Sequence, residues 1–275
     1  MNFAKPTILE EADRALEYYG DGSNVDLVLI TGCVNDVSAQ NLLNAAIATE
    51  KIRSLIEARC EQPIERLLRR ITSSFPAAYA VVTGYYPFIS TETRNDLFMR
   101  AITRRFYKEN PGVANLSRKI IFERMIANSA DWYRTSNKTL AGAVRQVNAE
   151  LGSRESRPRI MFAQINFLSE HSFAAPRTQL WDFNRAPLRK MAVLLSFGRI
   201  SLNTNDEVRK QRIASCENFW QRQPVDASMK DKEGKKQSLL CRYAALGHPN
   251  RQGALHYANA IEDQLRTVFA TIASK

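Results

Sequence analysis

An α/β fold built on a parallel sheet is the architecture this sequence predicts, and three observations predict it. Segments of helical and strand period alternate from Pro6 to Phe167. The first strand is a near-continuous apolar run without alternation, the pattern of a strand covered on both faces. The stretches between strands are long enough for the helical crossovers that parallel pairing requires, and such crossovers are right-handed. In a sheet of this kind ligands bind beyond the carboxyl ends of the strands.

The elements follow in order. Ile8, Ala12, Ala15 and Leu16 share one helical face, which predicts a helix over Pro6 to Tyr19 with acidic residues near its start. Gly20 to Asn24 is a turn cluster, and Val25 to Gly32 is the first strand. Ser38 to Arg59 and Ile64 to Ser74 are helical and broken at Pro63, where the missing N–H interrupts the ladder. Ala77 to Tyr86 is the second strand. Thr91 to Lys108 and Leu116 to Leu151 are helices, the latter with Phe122, Met125, Ile126 and Trp132 at core spacing. Arg159 to Phe167 is the third strand. Ser169 to Asn203 then mixes Pro, aromatic and polar residues in a connection long enough to be functional or disordered. Asp206 to Trp220 is a helix, Ser228 to Ser238 a charged exposed linker, and Gln252 to Ile272 a closing amphipathic helix. The whole reads as a single domain over residues 1–275, with a helical and loop insertion near 110–150 and an irregular region at 168–204.

Composition narrows the class. The longest apolar stretches, Val25 to Ile30 and Ala77 to Val82, fall far short of the roughly 18 residues a membrane span needs. No signal peptide is visible in the first ten residues, which lack an apolar core. Lys and Arg outnumber acids 39 to 28, a net charge of +11. That excess would attract nucleic acid or acidic lipid, but it is spread over many segments without a dominant run or a binding motif. A solvated basic surface is the simpler reading and argues against nucleic acid as the partner. Cys33, Cys60, Cys216 and Cys241 show no C-x-x-C spacing, which argues against zinc. Cys33 reads as a small buried hydrophobe. Cys216 and Cys241, flanking a polar segment, could pair in an exported protein.

Three strand ends converge on one edge: Gly32 to Asp36, Gly84 to Pro87, and Asn166 to His171. His248 is the leading chemical candidate. It stands on a turn fixed by Pro249 ahead of the closing helix, where an imidazole can act as a general base; the alternative is a surface or capping histidine. Asn35 ends the first strand, where its carboxamide could donate to an oxyanion or simply cap the helix after Ser38. Asn250 belongs to the same turn as His248. Tyr85, Tyr86, Phe88 and Trp181 could line an acyl or glycan pocket or pack the loops. His171 is a weaker candidate for the cleft, and His256 reads as a packing or surface residue.

The segments Leu27 to Asp36 (LVLITGCVND) and Ala245 to Gly253 (ALGHPNRQG) together resemble the last two conserved blocks of the SGNH (GDSL-type) hydrolases, serine esterases and lipases. The resemblance covers most of the chain as the later part of that family. It implies a three-layer, flavodoxin-like sheet lacking its first strands, and hydrolysis of a lipid or O-acetylated glycan ester without metal or organic cofactor. It makes His248 the base, Asn35 an oxyanion donor and Asp36 a support behind them, with Gly32, Cys33, Tyr85 and Asn250 lining the site. Two departures bear on activity. Ala245 stands where the family has the Asp that orients the imidazole, a role for which Asp36 or Asp182 would have to substitute. No Gly-Asp-Ser block supplies the nucleophile: Gly20-Asp-Gly-Ser23 precedes its strand and so lies at the wrong end of the sheet. The resemblance therefore predicts a chain continuing upstream of Met1 and inactive without that part. The competing readings are a non-catalytic binding or scaffold module on the same fold and, from charge alone, a nucleic-acid-binding protein.

Overall fold

The computed structural model describes residues 8–20, 22–33, 37, 39–97, 99–100, 103–104, 110–152, 158–182, 207–221 and 247–273. Its centre is a sheet of three parallel strands in the order β1 (Leu27–Ile30), β2 (Tyr79–Thr83), β3 (Ile160–Ala163). Leu27 pairs with Tyr79 and Ile30 with Val82, and Ala80 pairs with Ile160 and Thr83 with Ala163. The alternation of strand and helix in the sequence is thus realised as parallel pairing through helical crossovers.

Helices cover both faces. The first crossover contains α2 (Ala39–Leu42), α3 (Thr49–Ile56), a π turn (Glu57–Glu61) and α4 (Gln62–Ser74). The second contains α5 (Pro111–Ala114) and the 35-residue α6 (Arg118–Gly152). Ile52, Ile56, Leu67 and Leu68 pack with Trp132, Leu140 and Val144 of α6 against Ile30, Ala80, Val82 and Ile160 on one face. On the other, Ala260, Ile261, Leu265 and Val268 of α8 (Arg251–Ala273) lie against Val81, Met161 and Ala163. α1 (Ile8–Tyr19) packs on the first side, where Asp13 pairs with Arg70 of α4 at 2.9 Å. α7 (Glu207–Gln221) completes the described helices, and none of these is long and apolar enough to cross a membrane.

Four readings of the sequence change. Pro63 does not break a helix. It falls in the first turn of α4, where its absent N–H has no obligatory acceptor, and the π turn just before it absorbs the irregularity. The interruption lies instead at residues 43–48. Second, β1 is not covered on both faces. Leu27 is 37% and Leu29 54% exposed, because α8 reaches β2 and β3 but not the neighbouring end of β1. Among the described residues nothing pairs with the outer edge of β1, and a groove of about 550 Å³ runs along it between Ile8, Ala12 and Ala15 of α1 and Val28. Third, residues 168–182, the described part of the irregular region, contribute buried side chains to the core. His171, Phe173, Ala174, Leu180 and Trp181 are all buried there. Fourth, helical backbone after Thr91 begins only at Leu97, where the Asp96 side chain accepts from the Met99 N–H.

Cysteine chemistry also departs from expectation. Cys33 is buried, but as half of a disulfide with Cys60 rather than as a lone hydrophobe. Cys216 is disulfide-bonded as well, while the pairing expected with Cys241 falls on a residue outside those described.

Candidate functional site

The carboxyl ends of the strands are held together by side chains. Thr31, just past β1, shares a 2.7 Å hydrogen bond with Thr83 at the end of β2. The Tyr85 hydroxyl donates to the Gly32 carbonyl. Tyr85 is itself clamped by Asn137 of α6, whose carboxamide accepts from the Tyr85 N–H at 2.7 Å and donates to its C=O at 3.1 Å. Gly84 sits between these groups: its N–H donates to Ala163 at 2.9 Å and its carbonyl accepts from the Tyr257 hydroxyl at 3.1 Å.

The next residue along, Tyr86, carries the other motif. Its hydroxyl donates to the Gly247 carbonyl at 2.6 Å. Burial pushes the Tyr86 phenol well above its usual value, so it remains a donor throughout the physiological range. The loop at Gly247 to Asn250 pairs with residues 179–181 in a short antiparallel ladder: Gly247 N–H to Trp181 O at 3.0 Å, Trp181 N–H to His248 O at 2.8 Å, and Asn250 N–H to Gln179 O at 2.9 Å. Gly247 has φ +73°, a conformation that favours glycine, and lies against the Phe88 ring. The loop backbone is therefore fixed from two sides, and His248 stands on it half-exposed with its Nδ1 buried.

Consecutive tyrosines on the extension of β2 thus tie the two sequence motifs to one strand end, Tyr85 to Gly32 and Tyr86 to Gly247. Gly32, Cys33, Tyr85 and His248 are brought to that end. Asp182 directly follows Trp181, the partner of Gly247 and His248, and is half-buried. Asn35, Asp36 and Ala245 lie outside the described residues. Ser23 lies before β1, at the amino end of the sheet, and is exposed. Asn250 is occupied in holding the fold. Its Oδ1 accepts from the N–H groups of Gln252 and Gly253 at 2.9 and 3.1 Å, capping α8, and its Nδ2 donates to Thr178 O at 3.3 Å.

Cys33 is a non-glycine residue in the left-handed region. Its φ is +94°, a region costly for any side chain, and the disulfide to buried Cys60 holds it there. His171 is buried; its Nδ1 accepts from Leu168 N–H at 3.3 Å and its ring centroid lies 5.4 Å from that of His256, both flanking Phe167. Burial, then repulsion from His256, lowers the His171 pKa, with Glu170 opposing.

Buried hydroxyls of the same region are committed to structure. Ser90 bonds Ser169 O and Ser172, and Ser129 accepts from the Ile89 N–H at 2.9 Å. Among the described residues, no group of three or more His, Cys, Asp or Glu is placed to hold a metal. Sequence reasoning missed Asn137 and the Tyr86–Gly247 bond. The signal for Asn137 was available: Asn128, Ser129, Asp131, Ser136 and Asn137 put polar side chains on the buried face of a helix whose other core positions are apolar. No family model, curated protein or solved structure matches this chain.

Proposed function

We propose that this chain is an ester-hydrolase domain of the SGNH type, a three-layer flavodoxin-like fold with its site at the carboxyl ends of β1 and β2. His248 serves as general base and Asn35 as oxyanion donor, with Asp36 supporting the turn and Gly32, Cys33 and Tyr85 shaping its wall. The substrate is a small-molecule, lipid or glycan ester, and the mechanism calls for no cofactor. The observation that carries the reading is the joining of both motif loops to adjacent residues, Tyr85 and Tyr86, of one strand extension.

In this reading the nucleophilic serine arrives on a strand added beside β1. The outer edge of β1, unpaired among the described residues, and the apolar groove along it favour such an addition. A serine delivered there would have its proton taken by the His248 imidazole as it attacked the acyl carbon, and the Asn35 carboxamide would stabilise the oxyanion that forms. Ala245 offers no carboxylate to orient the ring. Backbone contacts of the loop, or Asp182, take that part.

The test is hydrolysis of p-nitrophenyl acetate. The 275 residues alone are expected to show no serine-dependent turnover. Extended ahead of Met1 by the sequence that precedes it in the gene, which on this reading includes a Val/Ile-rich strand ending Gly-Asp-Ser, the protein should hydrolyse the ester, and His248→Ala should lower kcat by roughly 100-fold or more. The absence of such a strand from the gene, or turnover indifferent to His248, sinks the reading.

A further inference from the structure

The opposite edge of the sheet carries a second, chemically different cleft. It encloses about 290 Å³ along the outer side of β3 and its extension, between that chain and α8, a volume at the small end of ligand sites. Gln164 and Asn166 line it from the strand, and His256, Asn259, Asp263 and Gln264 from the helix. The helix residues fall at i, i+3, i+7 and i+8, so they form one row about 12 Å long. Deeper in the same junction, Met161 and Ala163 meet Ala260, Ile261 and Leu265, an apolar contact. The lining therefore changes from hydrocarbon to carboxamide where solvent begins.

The chemistry of the lining is selective. Four carboxamides each offer a donor and an acceptor. Among the described lining residues Asp263 is the one carboxylate, and no Lys or Arg contributes in a chain of net charge +11. The nearby Arg266 is engaged with Glu262 at 3.0 Å. A phosphate or other anion would meet no Lys or Arg among these residues, and a lipid tail would find only Phe162 and Ala260 as apolar wall. Groups that both donate and accept, beside a carboxylate, match a ligand dense in hydroxyls. Gln164 already donates from its Nε2 to the Tyr133 hydroxyl at 3.4 Å.

We propose that this cleft binds a sugar, with Asn166, Asn259 and Asp263 bonding its hydroxyls. The site lies apart from His248: along the helix, His256 is about 9 Å beyond the Asn250 cap and Gln264 a further 12 Å or so. It goes beyond the hydrolase reading and does not depend on it.

Saturation-transfer NMR tests it, with xylotriose, cellotriose and chitotriose as probes at millimolar concentration. Transfer to at least one trisaccharide is expected, and Asn166→Ala/Asn259→Ala should weaken its binding about tenfold or more, since two hydrogen bonds are lost. Both residues are exposed, and circular dichroism of the variant checks the fold. Asp263→Asn, which keeps the shape and removes the charge, should also weaken it. His248→Ala should bind the sugar as the parent does, so failure of the hydrolase reading leaves this result unchanged. No transfer to any of the three sugars overturns the proposal, as does binding unchanged in the double variant or a preference for an extended peptide at the β3 edge over every sugar.

Discussion

Replacing Gly247 with alanine attacks the loop that carries His248 in two measurable ways. At φ +73° an L side chain costs about 1–2 kcal/mol. A Cβ built there overlaps Cε2 of Phe88 and lies 2.7 Å from its Cζ, so the ring or the loop must move. Phe88 stacks on Phe173 with centroids 5.2 Å apart, which blocks a simple swing and places the overpacking cost at about 1–3 kcal/mol. Together the substitution should remove about 2–5 kcal/mol, a large share of an ordinary domain's stability. Urea denaturation measures it. Phe88→Leu in the Gly247→Ala background should return the packing part and leave the backbone part, a coupling that a double-mutant cycle isolates. Gly142→Ala is the control: it lies inside α6 with its nearest foreign atom, Nη2 of Arg145, at 3.9 Å, and should gain about 0.5–1 kcal/mol. If Gly247→Ala loses less than about 1 kcal/mol, or the Phe88 change returns nothing, the account of this loop is wrong.

Loss of the Cys33–Cys60 bond, which spans 27 residues of sequence, should lower unfolding free energy by about 3–4 kcal/mol on loop-closure grounds; urea titration of a Cys33→Ala/Cys60→Ala variant beside the parent reads it with the Cys216 bond intact, and an unmoved midpoint refutes it. Asn250→Ala removes the cap of α8 and should cost about 1 kcal/mol, with Asn250→Ser recovering part of it; equal losses in both variants would assign the effect to the Thr178 contact instead. The His171 pKa is depressed below 6.5, so the unfolded chain holds that proton more tightly. Stability should therefore be fully present above about pH 6.5 and fall as pH drops from there toward the folded value, and His171→Asn should flatten that slope in urea midpoints measured from about pH 7.5 to 5. A slope identical in the variant would assign it to other groups.

Local pattern made the central sheet legible. Val25 to Gly32, Ala77 to Tyr86 and Arg159 to Phe167 each contain the observed strand, and the closing helix agrees to within a residue at either end. What escaped depends on neighbours that no short window contains. An apolar run such as Leu27 to Ile30 says that a strand wants cover and cannot say whether cover is present, so the exposure of Leu29 was invisible. The link between Cys33 and Cys60 follows from the meeting of the β1 turn with the π turn, which no spacing encodes. Asn250 shows a different limit: a residue of a chemically suggestive motif can be explained by a helix cap, and only hydrogen-bond partners separate the two roles.

The edge of β1 and the turn beyond it form one physical problem. Any strand that paired beside β1 would run parallel or antiparallel along Leu27 to Ile30, and a parallel one would end beside Gly32 and Cys33, where Tyr85 fixes the wall. That strand would fill the groove lined by Ile8, Ala12 and Ala15. Its final residue would then lie at the same end of the sheet as the His248 loop that Tyr86 binds. Stability and chemistry make the same demand at this point: the side of the sheet that lacks a hydrogen-bonding neighbour among the described residues is the side on which the proposed reaction lacks its nucleophile.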